Sequence, residues 1–374
     1  MFIRSFFLYL VPIILGFMIL KMATQSTKPL IAETVRSVSS TTGAAAATAS
    51  AVSSALKPDI PNPNPFPSFF FSHGGPTFMY ENDKGAFKTV KRLGKKIKNV
   101  WKPDYIVVVS AHWQLTGSKA IEIAIPPARN GGDLEENALV YDFYGFPRHM
   151  YKEQFRTMNS RFVSGEIRDR LKKNGFHADL TKRGIDHGVW VPFKVAFSDY
   201  NTLKPAPEGV DVGLDLPETS LVQVSLTGNE KDFDTHYKLG EVLSYYRDNL
   251  IWDPVREKYL KGMVIVSGMS VHNLRDLGRA MSYGKPMPYA ATFNKLLTKT
   301  MVNTPDLLDN LNKIKTENGS LLFQAHPTLE HFVPIVVGGG LLKDHPDQQI
   351  KEVFNSEELS LGWGIYQFGE DPKL

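Results

Sequence analysis

Four short apolar runs constrain the fold of this chain more than any other feature: Ser68–Phe71, Tyr105–Val109, Leu221–Leu226 and Met263–Val266. Most do not alternate apolar with polar residues, as a half-exposed strand would. Runs of this kind fit strands covered on both faces, the usual state of a sheet flanked by helices. Helix-period segments lie between them. In Ala86–Trp101 the apolar positions are Phe87, Val90, Leu93, Ile97 and Val100, and the intervening Lys and Arg residues read as a solvated face. Phe155, Met158, Phe162, Ile167 and Leu171 mark a second helix, with Gly175 beyond its end. Asp234–Leu250 and Tyr289–Val302 read the same way. Strands alternating with helices predict a single α/β domain with a mostly parallel or mixed central sheet. Gly117–Phe146, with its Pro, Gly and acidic residues, reads as an insertion or loop over one face.

Ahead of this domain the composition changes. Phe6–Leu20 is largely apolar and is bracketed by Arg4 and Lys21. It is short for a membrane span, which needs roughly 20 residues, and fits a signal-type apolar core of ~7–15 as well. Residues 1–21 are therefore expected to be a membrane anchor, with a secretory or mitochondrial targeting segment as the alternative. Residues 22–66 form a Ser/Thr/Ala- and Pro-rich linker, and Pro61, Pro63, Pro65 and Pro67 mark an extended entry to a folded domain over 67–374. Asn318-Gly319-Ser320 is a glycosylation sequon if that part enters a secretory lumen. The formal net charge is only +4, and part of the basic excess lies in Lys84–Lys98, so no nucleic-acid surface is expected. There is no cysteine, which excludes disulfides, iron–sulfur clusters and thiolate zinc sites. A metal would have to be held by His, Asp or Glu.

The histidines supply such ligands. His73 follows Phe69-Phe70-Phe71, His112 follows Val107-Val108-Val109, and His272 follows Val264-Ile265-Val266. Three expected strands thus each deliver an imidazole past their carboxyl ends, where sites gather in α/β sheets. Neutral imidazole is the commonest protein metal ligand. Gly74 and Gly75 permit close backbone approach after His73. Ser72, Ser110 and Ser267 stand just after their strands, as helix caps or as partners for the imidazoles. His187, between Asp186 and Gly188, sits at an expected turn and suits proton transfer near neutrality. His326 and His331 lie in a C-terminal segment where Thr328 could cap a helix that Pro334 would bend and Gly338–Gly340 would stop. Glu330 is a carboxylate alternative there, or a helix-start residue. Trp113 and Trp190 read as pocket walls or core. His149, His177, His236 and His345 fall in polar or helical contexts with no site role.

Five blocks, SHGGP (Ser72–Pro76), SAHW (Ser110–Trp113), DHGVW (Asp186–Trp190), SGMSVHNL (Ser267–Leu274) and HPTLEH (His326–His331), occur in the order of the class III extradiol dioxygenase superfamily. The chain resembles its 4,5-DOPA dioxygenase group over nearly all residues after Asp59. The resemblance implies His73, His112 and His272 as metal ligands and His187 as the acid/base residue, with His326 or His331 orienting the substrate. It implies one divalent ion, Fe(II) for ring cleavage or Zn(II) as a bound species, and a catechol such as DOPA with O2 as reactants. Many members use two histidines and a glutamate; here the third position matches His272. A zinc hydrolase and a non-catalytic metal-binding protein are the alternatives.

Overall fold

In a computed structural model the protein is described over residues 57–127, 132–199, 213–302 and 305–373. The residues expected to form the anchor and most of the linker lie outside that set. Ten strands make one mixed sheet: β1 (Ser68–Ser72), β2 (Tyr105–Gln114), β3 (Ala120–Ile125), β4 (Leu134–Glu136), β5 (Thr157–Ser160), β6 (His177–Lys182), β7 (Leu216–Leu226), β8 (Gly262–Gly268), β9 (Ile350–Phe354) and β10 (Ile365–Phe368). Their order is β9-β10-β1-β8-β2-β7-β3-β6, with β5 pairing β7 and β4 pairing β5. The four apolar runs form the parallel centre, β1-β8-β2-β7. Antiparallel partners join at both sides, β10 on β1 and β3 on β7.

The absence of alternation in the central strands has a direct physical cause. Phe70, Val107, Val109, Val264 and Val266 point into one apolar layer. Phe69, Phe71, Ile106, Val108 and Ile265 point into the other. All ten are fully buried, each contributing roughly 1.5–3 kcal/mol if aliphatic. Helices α1 (Gly85–Lys96) and α3 (His187–Phe197) cover the second face. Helices α2 (Arg161–Lys173), α4 (Phe233–Leu243), α5 (Pro288–Val302) and α6 (Val333–Gly340) supply the first layer.

Several boundaries differ from the sequence reading. The end of the expected linker belongs to the fold, because Ile60–Pro61 pairs with Asn249–Leu250 and Phe66 is buried. Gly117–Phe146 is more than a loop. Ile121 and Ile123 alternate with Ala120 and Glu122, and that period adds β3 to the sheet, with β4 following. The second helix begins only at Arg161, where Ser160 accepts the Val163 N–H as its cap; Met158 is in β5. The helix expected over Asp234–Leu250 breaks after α4 and gives way to a strand at Asn249–Asp253. Pro334 does not bend a helix but stands in the first turn of α6, where its missing N–H is harmless. Among the described residues no helix is long and apolar enough to cross a membrane.

Gly338–Gly340 form the last turn of α6 rather than a stop beyond it, and packing explains them. Helices α4 and α6 touch backbone to backbone. A Cβ at Gly240 would stand 2.0 Å from the Val337 carbonyl oxygen, and one at Gly340 would stand 2.0 Å from that of Tyr237. Gly240→Ala is expected to destabilise the protein by about 1–3 kcal/mol, although alanine favours an isolated helix by ~1 kcal/mol. Urea unfolding reads this as a lower midpoint at unchanged slope; a raised midpoint would contradict the contact.

Candidate active site

The register of three parallel strands places the first imidazoles. Ser267 of β8 lies opposite Phe71 of β1 and Ser110 of β2. His73 follows β1 immediately and gives its backbone N–H to the Gly268 carbonyl at 2.9 Å. Pairing of β2 with β8 ends at Ser110, so His112 rides on an overhanging extension of the strand. After β8 the chain makes the short pair Val271–His272 with Leu361–Gly362, which carries His272 to the same edge. His331 sits just before α6, its carbonyl accepting the Met269 N–H at 2.9 Å. His187 is the first residue of α3, a helix start rather than the turn its flanking residues suggest. Gly74, at φ 66°, turns the chain sharply beside His73, and a Cβ there would strike the Trp363 ring. Gly75 meets no such obstruction.

These elements gather five imidazoles. Nε2 of His112 is 3.2 Å from Nε2 of His73 and 3.3 Å from Nε2 of His331. The His187 ring centroid is 4.0 Å from that of His112. His272 stacks on His331 with centroids 3.6 Å apart and planes 15° from parallel. Of the residues singled out in the sequence, His73 and His112 form a compact trio with His331, whose ligand atoms lie within 4.8 Å of one another. His272 stands one ring further out, grouped with Glu330 and His331. His326 is not brought into the cluster. It is fully buried against Phe293 and Phe332, with Nε2 2.9 Å from the Ser270 carbonyl oxygen.

Hydrogen bonds select one tautomer for two of these rings, and a carboxylate stands beside two more. Pro192, inside α3, has no N–H to offer the Gly188 carbonyl four residues back. That carbonyl accepts the Ser267 hydroxyl instead. With its proton committed there, Ser267 Oγ can only accept at His73 Nδ1, 3.0 Å away. His73 is therefore protonated on Nδ1 and bare on Nε2. Glu330 takes Nδ1 of His331 at 3.0 Å. Asp142 Oδ1 lies 2.9 Å from Nδ1 of His187, and its Oδ2 3.6 Å from Nδ1 of His112. Ser110 donates to Asp186 Oδ1 at 2.8 Å and accepts the His112 N–H at 3.2 Å. Ser110 and Ser267 thus serve the site and cap no helix.

Where His112 carries its proton on Nδ1, three Nε2 lone pairs meet at these short spacings, 3.2 and 3.3 Å from His112, and a cation among them removes the repulsion. Nitrogens about 2.0–2.1 Å from one tetrahedral ion are themselves roughly 3.3–3.4 Å apart, so the donor spacing fits a metal. The electrostatics agree. Burial first, and then the neighbouring histidines, hold His73, His112 and His272 well below the ordinary imidazole range, in the neutral form that binds metals. Burial alone would raise Asp142 and Glu330, yet the partnerships with His187 and His331 outweigh it and hold both carboxyls low. Asp186 goes the other way, raised by burial and then by the charge of Asp142.

Trp190 supports the site from behind: it is fully buried and gives Nε1–H to the Val140 carbonyl at 3.0 Å. Trp113 is buried beneath the Arg183 guanidinium. Asp142 escaped the sequence reading, since an acid between Tyr141 and Phe143 in a Pro- and Gly-containing stretch carries no periodic signal.

His326 gives the structure a pH dependence of stability. Burial pushes its imidazole down to about 3, whereas an unfolded histidine titrates near 6.5. Between those values the unfolded chain binds a proton that the folded protein excludes. Stability from this group is complete above about pH 6.5 and falls with pH below it, by about 1.4 kcal/mol per unit. His326→Asn should flatten urea-derived stability against pH between about 4 and 6 by that slope; an unchanged slope would refute the assignment.

The family profile described as the catalytic LigB subunit of aromatic ring-opening dioxygenase matches residues 67–366. The chain is 30% identical over 305 residues to a 4,5-DOPA dioxygenase extradiol of Beta vulgaris, covering 80% of this chain and 96% of that one. It is 29% identical over 312 residues to a 4,5-DOPA dioxygenase extradiol-like protein of Schizosaccharomyces pombe, covering 79% and 91%. The crystal structure of an uncharacterized protein from Escherichia coli K12 shares the fold, with a TM-score of 0.54 at 21% identity over 81% of this chain and 100% of that one. The chain belongs to the LigB family of class III extradiol, aromatic ring-opening dioxygenases, within its 4,5-DOPA dioxygenase-like group.

Proposed function

We propose that this protein opens the ring of a catechol beside its diol, with both atoms of O2 entering the product, at a divalent ion held among His73, His112, His272 and His331. DOPA is the catechol named for the relatives and the first substrate to try. The observation that carries this reading is the convergence of the His73, His112 and His331 Nε2 atoms, with His73 and His331 held at Nδ1. Fe(II) at these donors would acidify the diol and provide the redox capacity that reaction with O2 requires. Zn(II) suits the same donors but has no redox chemistry.

The chain's own groups do the rest. Nε2 of His187, beside His112 and held from behind by Asp142, removes the second hydroxyl proton of the diol and returns it as the ring opens. Phe143 presents its ring edge-on to His187 at 5.7 Å and gives the substrate ring an apolar neighbour. Reactants approach from the side where His112 and His272 are partly exposed.

The test is anaerobic loading with Fe(II), then oxygen and a panel of catechols including DOPA. One O2 consumed per catechol and a yellow semialdehyde product are expected, with no oxygen uptake by Zn(II)-loaded protein. His73→Ala should lose the metal. His187→Ala should keep it and lose turnover by roughly 10²–10⁴-fold. Absence of oxygen uptake with every catechol would overturn the reading, and ester or amide turnover independent of oxygen would favour a zinc hydrolase.

A further inference from the structure

We propose that Asp142 is the positioning residue for the proton-transfer histidine, one carboxylate fixing Nδ1 of His187 while its second oxygen faces Nδ1 of His112. The proposal rests on the ring-cleavage reading of the site for its kinetic consequences, but not for its geometry.

Asp142 Oδ1 is within hydrogen-bond distance of His187 Nδ1 at 2.9 Å, although off the line of a straight N–H···O bond. Such contacts in unliganded sites often straighten when substrate binds. The same oxygen also accepts the His187 backbone N–H at 2.9 Å, so the carboxylate grips the residue at two points. Its other oxygen lies 3.6 Å from His112 Nδ1. Among the described residues, these three side chains form a group whose ligand atoms all lie within 4.8 Å.

The segment carrying Asp142 is itself fixed to the start of α3. Val140 gives its N–H to the Ile185 carbonyl at 2.8 Å, and Trp190 gives its indole N–H to Val140 at 3.0 Å. Tyr141 donates its hydroxyl to the Glu153 carbonyl at 2.6 Å. The Tyr141 and Phe143 rings both pack on Trp190, with centroids 5.5 and 6.1 Å away. A carboxylate on so constrained a backbone can hold an imidazole in one tautomer. His187 then keeps its proton on Nδ1 and offers a bare Nε2 to the diol. The same substitution that removes this function need not remove the backbone contact, because asparagine accepts a helix-start N–H as well as aspartate does.

Asp142→Asn therefore separates positioning from structure. In Fe(II)-loaded protein, unchanged metal stoichiometry and unchanged melting temperature are expected. With a catechol that the wild type cleaves, kcat should fall roughly 10²-fold with KM little altered. In a His187→Ala background the same substitution should add nothing, because the two residues act as a unit. Nitrogen-15 NMR of the Zn(II)-loaded protein should show His187 protonated on Nδ1 in the wild type and a mixture of tautomers in Asp142→Asn. Loss of metal would make Asp142 a ligand and end the proposal. So would an unchanged kcat, multiplying effects with His187→Ala, or an unchanged tautomer. If the wild type cleaves no catechol, the ring-cleavage reading fails, and the tautomer measurement alone decides on Asp142.

Discussion

The hydroxyl of Ser267 bonded to the carbonyl of Gly188 is the contact on which the orientation of the site depends. It links the central strand β8 to the first turn of α3, and it exists because Pro192 leaves that carbonyl without its helical partner. A hydroxyl has one proton to give. Spending it on Gly188 turns the remaining lone pairs of Ser267 toward His73 and decides which ring nitrogen of His73 stays bare. The strand register does the rest. A slip of one residue in β8 would turn Ser267 to the opposite face and separate it from both His73 and Ser110.

The same apolar packing that forms the fold controls the chemistry of its edge. His73 is 1% exposed, so water cannot stabilise its charged form. A buried imidazolium without a partner is expensive. The cluster answers this by keeping His73 and His112 neutral. Neutral, crowded nitrogens are poorly satisfied by one another and well satisfied by a cation. Burial that would be a defect in a core becomes, at the proposed site, a condition that would favour holding an ion.

Much of this was legible in the sequence, and the part that was not has a common cause. The four apolar runs, most of them unalternating, announced a sheet covered on both faces, and the histidines past three of them announced an edge rich in imidazole. Both inferences use spacing along one segment. The role of His331 beside His112 depends on contact across 219 residues. That of Asp142 depends on contact across 45. No local period encodes such pairs. Pro192 was visible in DHGVWVPF, but its effect on Ser267 runs through a carbonyl released inside a helix and a strand register that only the folded chain supplies. Phe155 and Met158 misled for the opposite reason, since their spacing suited a helix while β5 took them into the sheet and its loop.

The placement of charge bears on how a set of histidines could hold an ion at the proposed site. An ion on neutral imidazoles brings two positive charges into a buried site, and a carboxylate ligand would neutralise one of them directly. In this chain the carboxylates are one ring removed. Asp142 and Glu330 contact Nδ1 atoms of His187 and His331, and both are held ionised. Through its hydrogen bond to His331, the Glu330 charge raises the basicity of an imidazole proposed as a ligand. The arrangement has a consequence for reactivity. A carboxylate bound directly to the ion would compete in charge with an arriving diolate, whereas carboxylates behind the rings leave the ion's own positions to the substrate oxygens. At the proposed site, neutral ligands with anionic support would favour an anionic oxygen ligand arriving last, the property that ring opening of a catechol would require.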